Sequence, residues 1–267
     1  MLDALSIGAT GMQAQQLAVN TIANNLANAN TPAFKKGGVS FTDLMMLDSA
    51  QALPADLDGD VGSVGPLAGV PQSGAGVGIA SVAKMFDTGD MLKTGSAFDV
   101  AIQGDGFLEV TMPDGSRAFT RGGTLKVNTD GMLVTQSGYA LKPGITVPAH
   151  ASSLTIDSQG HVAVTVPNQS SPVVIGQLEM VRFANPGGLS AQGDNLYRST
   201  DGSGEAIAAK AGQDGIGTLA QGFLEGSNVK MTDEMVNLMI AQRAYEANVK
   251  VVQASDDMLG MINNLRK

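Results

Sequence analysis

Two histidines, His150 and His161, are the entire imidazole supply of this chain, and it contains no cysteine. A histidine-based triad needs a nucleophile and an orienting acid around one of them. His150 lies in a P-A-H loop signal and His161 heads a strand pattern, so each reads as a surface or strand residue rather than a ligand. Without thiols, disulfides, thiolate catalysis and Cys-based zinc sites are excluded. Carboxylates remain. Asp56, Asp58 and Asp60 in D-L-D-G-D have the spacing of a calcium loop, but Val61 stands where the loop needs Gly and Leu67 where it needs Glu. Gly104-Asp105-Gly106 and G-A-G-V-G at 74–78 lack the Gly-Lys-Ser/Thr of a phosphate loop and open no helix. No G-x-S-x-G elbow is present. The expectation is a protein with no catalytic residue, no cofactor and no bound metal.

The elements that would have to position such groups point elsewhere. Of 267 residues 43% are hydrophobic, yet only 4% are aromatic and 34 are Gly. That composition suits thin or extended structure better than a deep pocket. Sixteen basic against 25 acidic residues, net −9, argue against nucleic acid as a partner. The N-terminus has no basic n-region and no long apolar core, and no segment is long enough to span a membrane. By signal alone the chain reads as cytoplasmic unless another export route accepts it.

Both ends have helical periodicity. Leu5, Met12, Val19 and Leu26 recur every seventh residue, with Ala9, Ile22 and Ala23 widening the stripe. Pro32 is expected to stop this helix. The second pattern starts near S-N-V-K-M-T-D-E and spans roughly 50–55 Å if helical throughout. Met235, Leu238, Tyr245, Val249, Val252 and Leu259 form one stripe, and Ala241, Ala244, Val251, Met258, Ile262 and Leu265 an adjacent one. Met12, Met235, Met239, Met258 and Met261 lie on such stripes and suit an adaptable interface.

Between the ends the period falls to two. Phe98-Val100-Ile102, Leu125-Val127, Leu154-Ile156 and Val162-Val164-Val166 alternate with polar residues, punctuated by P-D-G, T-D-G and D-S-Q-G. This predicts an antiparallel β domain. Residues 37–83 contain no Lys or Arg and turn rich in Gly, Pro and Asp, as an arm or linker would. Residues 184–217 read as a Gly-rich loop.

The stretch A-N-N-L-A-N-A-N-T-P-A-F-K-K at 23–36 resembles the N-terminal motif of the bacterial flagellar rod and hook family. G-S-A-F-D-V-A-I-Q-G-D-G-F at 95–107, A-F-T-R-G-G at 118–123, G-F-L-E-G-S-N-V at 222–229 and E-M-V-N-L-M-I-A-Q-R-A-Y-E-A-N at 234–248 follow in family order. Family members commonly carry Gly where Ala33 stands. Length and the I-T-V-P-A-H-A-S-S-L-T-I stretch at 145–156 resemble the distal-rod branch.

The resemblance implies an α+β fold: an N-terminal helix at 1–31 pairing as a coiled coil with a C-terminal helix at 223–267, an arm at 32–84, and a β domain at 85–222. It implies a structural subunit of the distal rod that polymerises into a helical tube, transmits torque and encloses the export channel. Implied partners are copies of itself, proximal rod proteins, the hook protein, the P and L ring proteins and the flagellar type III export apparatus. The implied location is the periplasm-spanning rod, reached without a cleaved signal.

The self-assembly seam would comprise Leu5, Met12, Val19, Ile22, Leu26, Met235, Leu238, Tyr245, Val249, Val252 and Leu259. Charges buried at repeating contacts would be costly, so the uncharged amides Asn24, Asn25, Asn28, Gln242 and Asn248 are candidates for hydrogen bonds between subunits. The rival readings are a proximal rod subunit and a secreted calcium-binding or adhesive β protein using 56–60.

Overall fold

The computed structural model describes residues 2–47, 72–167, 171–213 and 215–265. A long helix at each end, α1 (Leu2–Ala27) and α2 (Met231–Leu265), flanks a run of strands whose described pairings are antiparallel, so the class is α+β. The described residues divide into a helical unit, residues 2–23, 39–47, 72–82 and 235–265, and a β unit, residues 24–38 and 83–234. Asp56, Asp58 and Asp60, with residues 48–71 of the proposed arm, lie outside the described residues.

The β unit is organised by the turns that the sequence advertises. P-D-G joins Phe107–Thr111 to Arg117–Thr120, T-D-G joins Gly122–Val127 to Leu133–Thr135, and D-S-Q-G joins Ser153–Ile156 to His161–Thr165. The alternation of the last pair turns Leu154, Ile156, Val162 and Val164 into a core with Val100, Ile102, Leu108, Val110 and Leu133. Each such side chain contributes about 1.5–3 kcal/mol on burial. Aromatic residues are few, yet Phe86, Phe107, Phe119, Phe183 and Tyr197 gather in one edge-to-face cluster.

Three expectations need correction. Asp99–Gln103 is buried on both faces, so alternation does not apply; Phe98 precedes the strand and is exposed. The supposed loop at 184–217 contains strands Ser190–Gly193, Leu196–Arg198 and Ile207–Ala209, each too short to show a period between glycines. Pro32 is not what ends α1. The helix stops at Ala27, where the Asn28 amide donates to the Asn24 carbonyl (2.9 Å) and competes with the backbone ladder. The chain then turns to Ala33, which adopts φ 59°. An alanine there costs about 1–2 kcal/mol in backbone strain. Its N–H donates to the Glu225 carbonyl at 2.7 Å, which holds the conformation.

In the helical unit, strands β1 (Gly37–Leu47) and β2 (Gln72–Lys84) pair as a two-stranded sheet. Gly8 and Gly11 of α1 lie against α2. A Cβ added at Gly8 would come within 2.7 Å of Val252 Cγ2, and one at Gly11 within 2.8 Å of the Asn248 amide. Among the residues of these helices in this unit whose burial is described, the buried ones, Gly8, Ala14, Ala241 and Ser255, are all small. Two glycines inside a helix cost about 1 kcal/mol each relative to alanine, and close helix approach offsets that.

Candidate functional sites: a buried charged joint and an exposed helical face

Three of the family-like stretches, 23–36, 118–123 and 222–229, meet at one carboxylate. Glu225 leaves the end of strand Phe223–Glu225, which pairs with Met91–Lys93. Lys35 arrives just past the Ala33 turn, and Arg121 sits between strands Arg117–Thr120 and Gly122–Val127. Gly122 permits that corner: with φ 104°, it would place a Cβ 2.5 Å from the Val100 carbonyl oxygen. Lys35, Arg121 and Glu225 are 0%, 1% and 2% exposed, deeper than many apolar residues of the core.

Arg121 grips Glu225 with two parallel bonds, Nε to Oε2 and Nη2 to Oε1, both 3.1 Å, and gives Nη1 to the Gly106 carbonyl at 2.9 Å. Lys35 Nζ donates to Glu225 Oε1 at 2.7 Å and to the Asp87 carbonyl. The Gly89 N–H adds a fourth bond to that carboxylate at 3.0 Å. Phe107 lies under the guanidinium, with 5.7 Å from its centroid to Cζ.

Two cations share one carboxylate, and the titrations follow from that ratio. Burial pushes the Glu225 carboxyl upward, but Arg121 and Lys35 together outweigh it and hold it below the ordinary value of 4.5. Lys35 is held below 10.5, chiefly by burial and additionally by repulsion from Arg121, with Glu225 only partly compensating. Burial pushes the Tyr197 phenol up to about 12. In linkage terms, the stability from Glu225 is full above pH 4.5 and is lost as pH falls through its lowered folded value. Tyr197, ionising more readily when unfolded, makes stability fall between pH 10 and about 12. Lys35 acts oppositely, since its buried-charge penalty is relieved as pH climbs toward 10.5. Thermal melts across pH are therefore expected to show a mid-range plateau with an acid loss beginning below pH 4.5. A flat acid limb would contradict the assignment to Glu225.

Asn25 makes a second joint. Buried at 2% exposure, its amide donates to the Gly37 carbonyl (2.9 Å) and Glu234 Oε2 (3.2 Å), and its oxygen accepts from the Gly37 N–H (2.8 Å). It thus fastens the end of α1, the start of β1 and the start of α2, and it is carried no further as a candidate for contacts between subunits. Asn25→Ala is expected to lower stability by about 2–4 kcal/mol, because it strands Glu234 and both polar groups of Gly37. Urea titration checks this.

The remaining candidates are distributed as follows. Leu5, Met12, Val19, Ile22, Leu26, Leu238, Val249, Val252 and Leu259 are half-buried, whereas Met235 and Tyr245 are exposed. Asn24 and Gln242 are exposed. Asn28 is engaged by Asn24 and Thr31, and Asn248 lies against Gly11. Among the described residues, the apolar side chains Met235, Val236, Met239, Ile240, Val251, Met258, Met261 and Ile262 of α2 are all exposed. Sequence reasoning missed Lys35, Arg121 and Glu225; Arg121 and Glu225 stood out as lone charges among apolar and glycine residues, whereas Lys35, next to Lys36, gave no local signal. It also missed Gly8 and Gly11, whose signal was glycine inside a helix.

Comparison with known proteins gives this arrangement a class. Residues 5–35 match the model of the flagella basal body rod protein, 101–164 that of the flagellar hook protein FlgE/F/G D1 domain, and 220–265 that of the flagellar basal body rod FlgEFG protein C-terminal. The chain belongs to the flagellar basal-body rod protein family, whose members assemble into the rod with other rod and hook components. Within it the similarity runs to the distal rod. The chain is 44% identical to the flagellar basal-body rod protein FlgG of Borreliella burgdorferi, covering 100% of both. It is 41% identical to FlgG of Caulobacter vibrioides over 99% of this chain and 100% of the other. It is 32% identical to FlgF of Caulobacter vibrioides over 98% and 100%. A distal rod structural subunit in the basal body is the function these relatives support, and nothing supports the calcium-binding alternative.

Proposed function

We propose that the subunit builds the rod wall through its terminal helices, α1 and α2 pairing as a coiled coil and the outward face of α2 packing on neighbouring copies. The carrying observation is that apolar face. Soluble monomers rarely leave contiguous apolar area beyond a few hundred Å² uncovered. Ile240, Ala244, Ala247, Val251, Ala254, Met258 and Met261 recur at alternating intervals of four and three, the spacing of a helix–helix seam. Val19, Leu26 and the other seam positions, with Asn24, Asn28, Gln242 and Asn248, would complete the contacts.

Contacts of this head-to-tail kind that do not close give an open helical tube, and its many repeated interfaces transmit torque without chemistry. The proximal rod, the hook, the P and L rings and the type III export apparatus are the proposed partners, with export needing no cleaved signal. In this proposal residues 1–31 and 223–267, which contain α1 and α2, form the rod core, 32–84 the arm and 85–222 the β domain.

Electron microscopy of isolated basal bodies carrying a labelled copy tests the placement. Label on the rod segment next to the hook is the expected result; label confined to the membrane-proximal segment would transfer the protein to the proximal rod.

A further inference from the structure

Sulfur chemistry in this chain is restricted to thioethers, since it has 14 methionines and no cysteine, and it also lacks tryptophan. Those thioethers are unevenly sheltered. Met180 is fully buried at 0%, whereas Met235, Met239, Met258 and Met261 of α2 are 51%, 57%, 41% and 59% exposed. At 3.6 residues per turn these four fall on the side of α2 away from Asn248 and Val252, the residues that face α1. Met258 and Met261 lie along the stripe that carries Ile240, and Met235 and Met239 lie further round the outward half of the helix. Methionine suits such a surface because its flexible, polarisable side chain packs against many shapes. That benefit depends on sulfur remaining a thioether.

We propose that Met235, Met239, Met258 and Met261 are modification sites through which peroxide or hypochlorous acid controls polymerisation. This rests on the reading of the outward α2 face as the assembly contact. Each sulfur takes one oxygen atom from the oxidant. The thioether is oxidised by two electrons to a sulfoxide, and peroxide is reduced to water or hypochlorous acid to chloride and a proton. The product is polar and demands hydrogen bonds where a packed helical seam provides none. Oxidation thus selects against unassembled subunits. Once four thioethers are enclosed by neighbours, the same oxidant no longer reaches them, so a finished polymer is resistant.

The test uses the full chain. It is treated with hydrogen peroxide at neutral pH, mapped by peptide mass spectrometry, and its polymerisation is followed by light scattering and electron microscopy. The four α2 methionines are expected to gain oxygen while Met180 does not, and polymerisation is expected to slow about tenfold or more. Methionine sulfoxide reductases with a thiol reductant should restore it. A chain with Leu at all four positions should polymerise and ignore peroxide. Met45, Met85 and Met231, also exposed, stay oxidisable in that variant and serve as the control.

An oxidised chain that polymerises normally, or a Leu variant that remains sensitive, overturns the proposal. Untreated chain that never polymerises sinks the assembly reading and the switch with it. Oxidation of Met180 at the same rate as the four would show that the chain opens, and overturns the selectivity.

Discussion

Glu225→Gln is expected to lower the stability of the β unit by about 3–5 kcal/mol, the usual loss when one partner of a buried ion pair is removed. The argument is one of stoichiometry. Glu225 is the carboxylate that accepts from both Lys35 and Arg121, and all three side chains are at most 1% exposed. Glutamine keeps the shape, but its amide nitrogen would face a cation that also donates. Arg121 cannot shed a proton, so its charge would remain buried. Lys35 can, because burial already holds its titration below 10.5.

The deficit should therefore be greatest near neutral pH and shrink in alkaline buffer as Lys35 neutralises. Lys35→Met in the Glu225→Gln background should recover part of the loss, the non-additivity expected for groups in one network. Urea titrations of the unmodified chain, Glu225→Gln, Lys35→Met and the double variant, at pH 7 and in alkaline buffer, measure both effects. Equal stability of Glu225→Gln and the unmodified chain would show the joint to be ornamental.

The joint also marks where local sequence reading stops. Period and punctuation were enough for the two helices and for the hairpins at 122–135 and 153–165, because amphipathic faces and D-G turns are local signals. Lys35 and Glu225 lie 190 positions apart, and Arg121 and Glu225 lie 104 apart. Nothing local distinguishes Lys35 from its exposed-looking neighbour Lys36. Only the family resemblance placed all three residues in stretches worth watching, and it did so without saying that they touch.

The uncharged amides stood out in the sequence as groups that escape the cost of a buried charge, and the reason for one of them was hidden. Asn25 is uncharged because it must both donate to and accept from the backbone of Gly37 in a buried place. A lysine or glutamate can do only one of these. Gly8 and Gly11 carry the complementary lesson: large apolar residues at heptad spacing are the visible pattern, while two positions where α1 lies tight against α2 have no side chain.

Ile240→Glu is expected to leave the fold intact and abolish polymerisation at concentrations where the unmodified chain forms tubes. Ile240 is 61% exposed, so a carboxylate there is solvated in the free subunit and its melting should shift little. In the polymer the same carboxylate would enter a helical seam opposite apolar side chains. Burying it unpaired costs several kcal/mol, and every subunit repeats the insult. Even about 3 kcal/mol per contact raises the critical concentration more than roughly 100-fold. Val251→Glu, three helical turns further along the same stripe, should behave alike. Lys250→Ala, on a face already charged, should change assembly by less than about threefold, since exposed charges contribute little. Sedimentation of concentrated samples with electron microscopy of the pellets reads all three. Tubes from Ile240→Glu at an unchanged critical concentration would mean that the outward face of α2 contacts no neighbour. The rod wall would then have to be built from β1, β2 or the β unit instead.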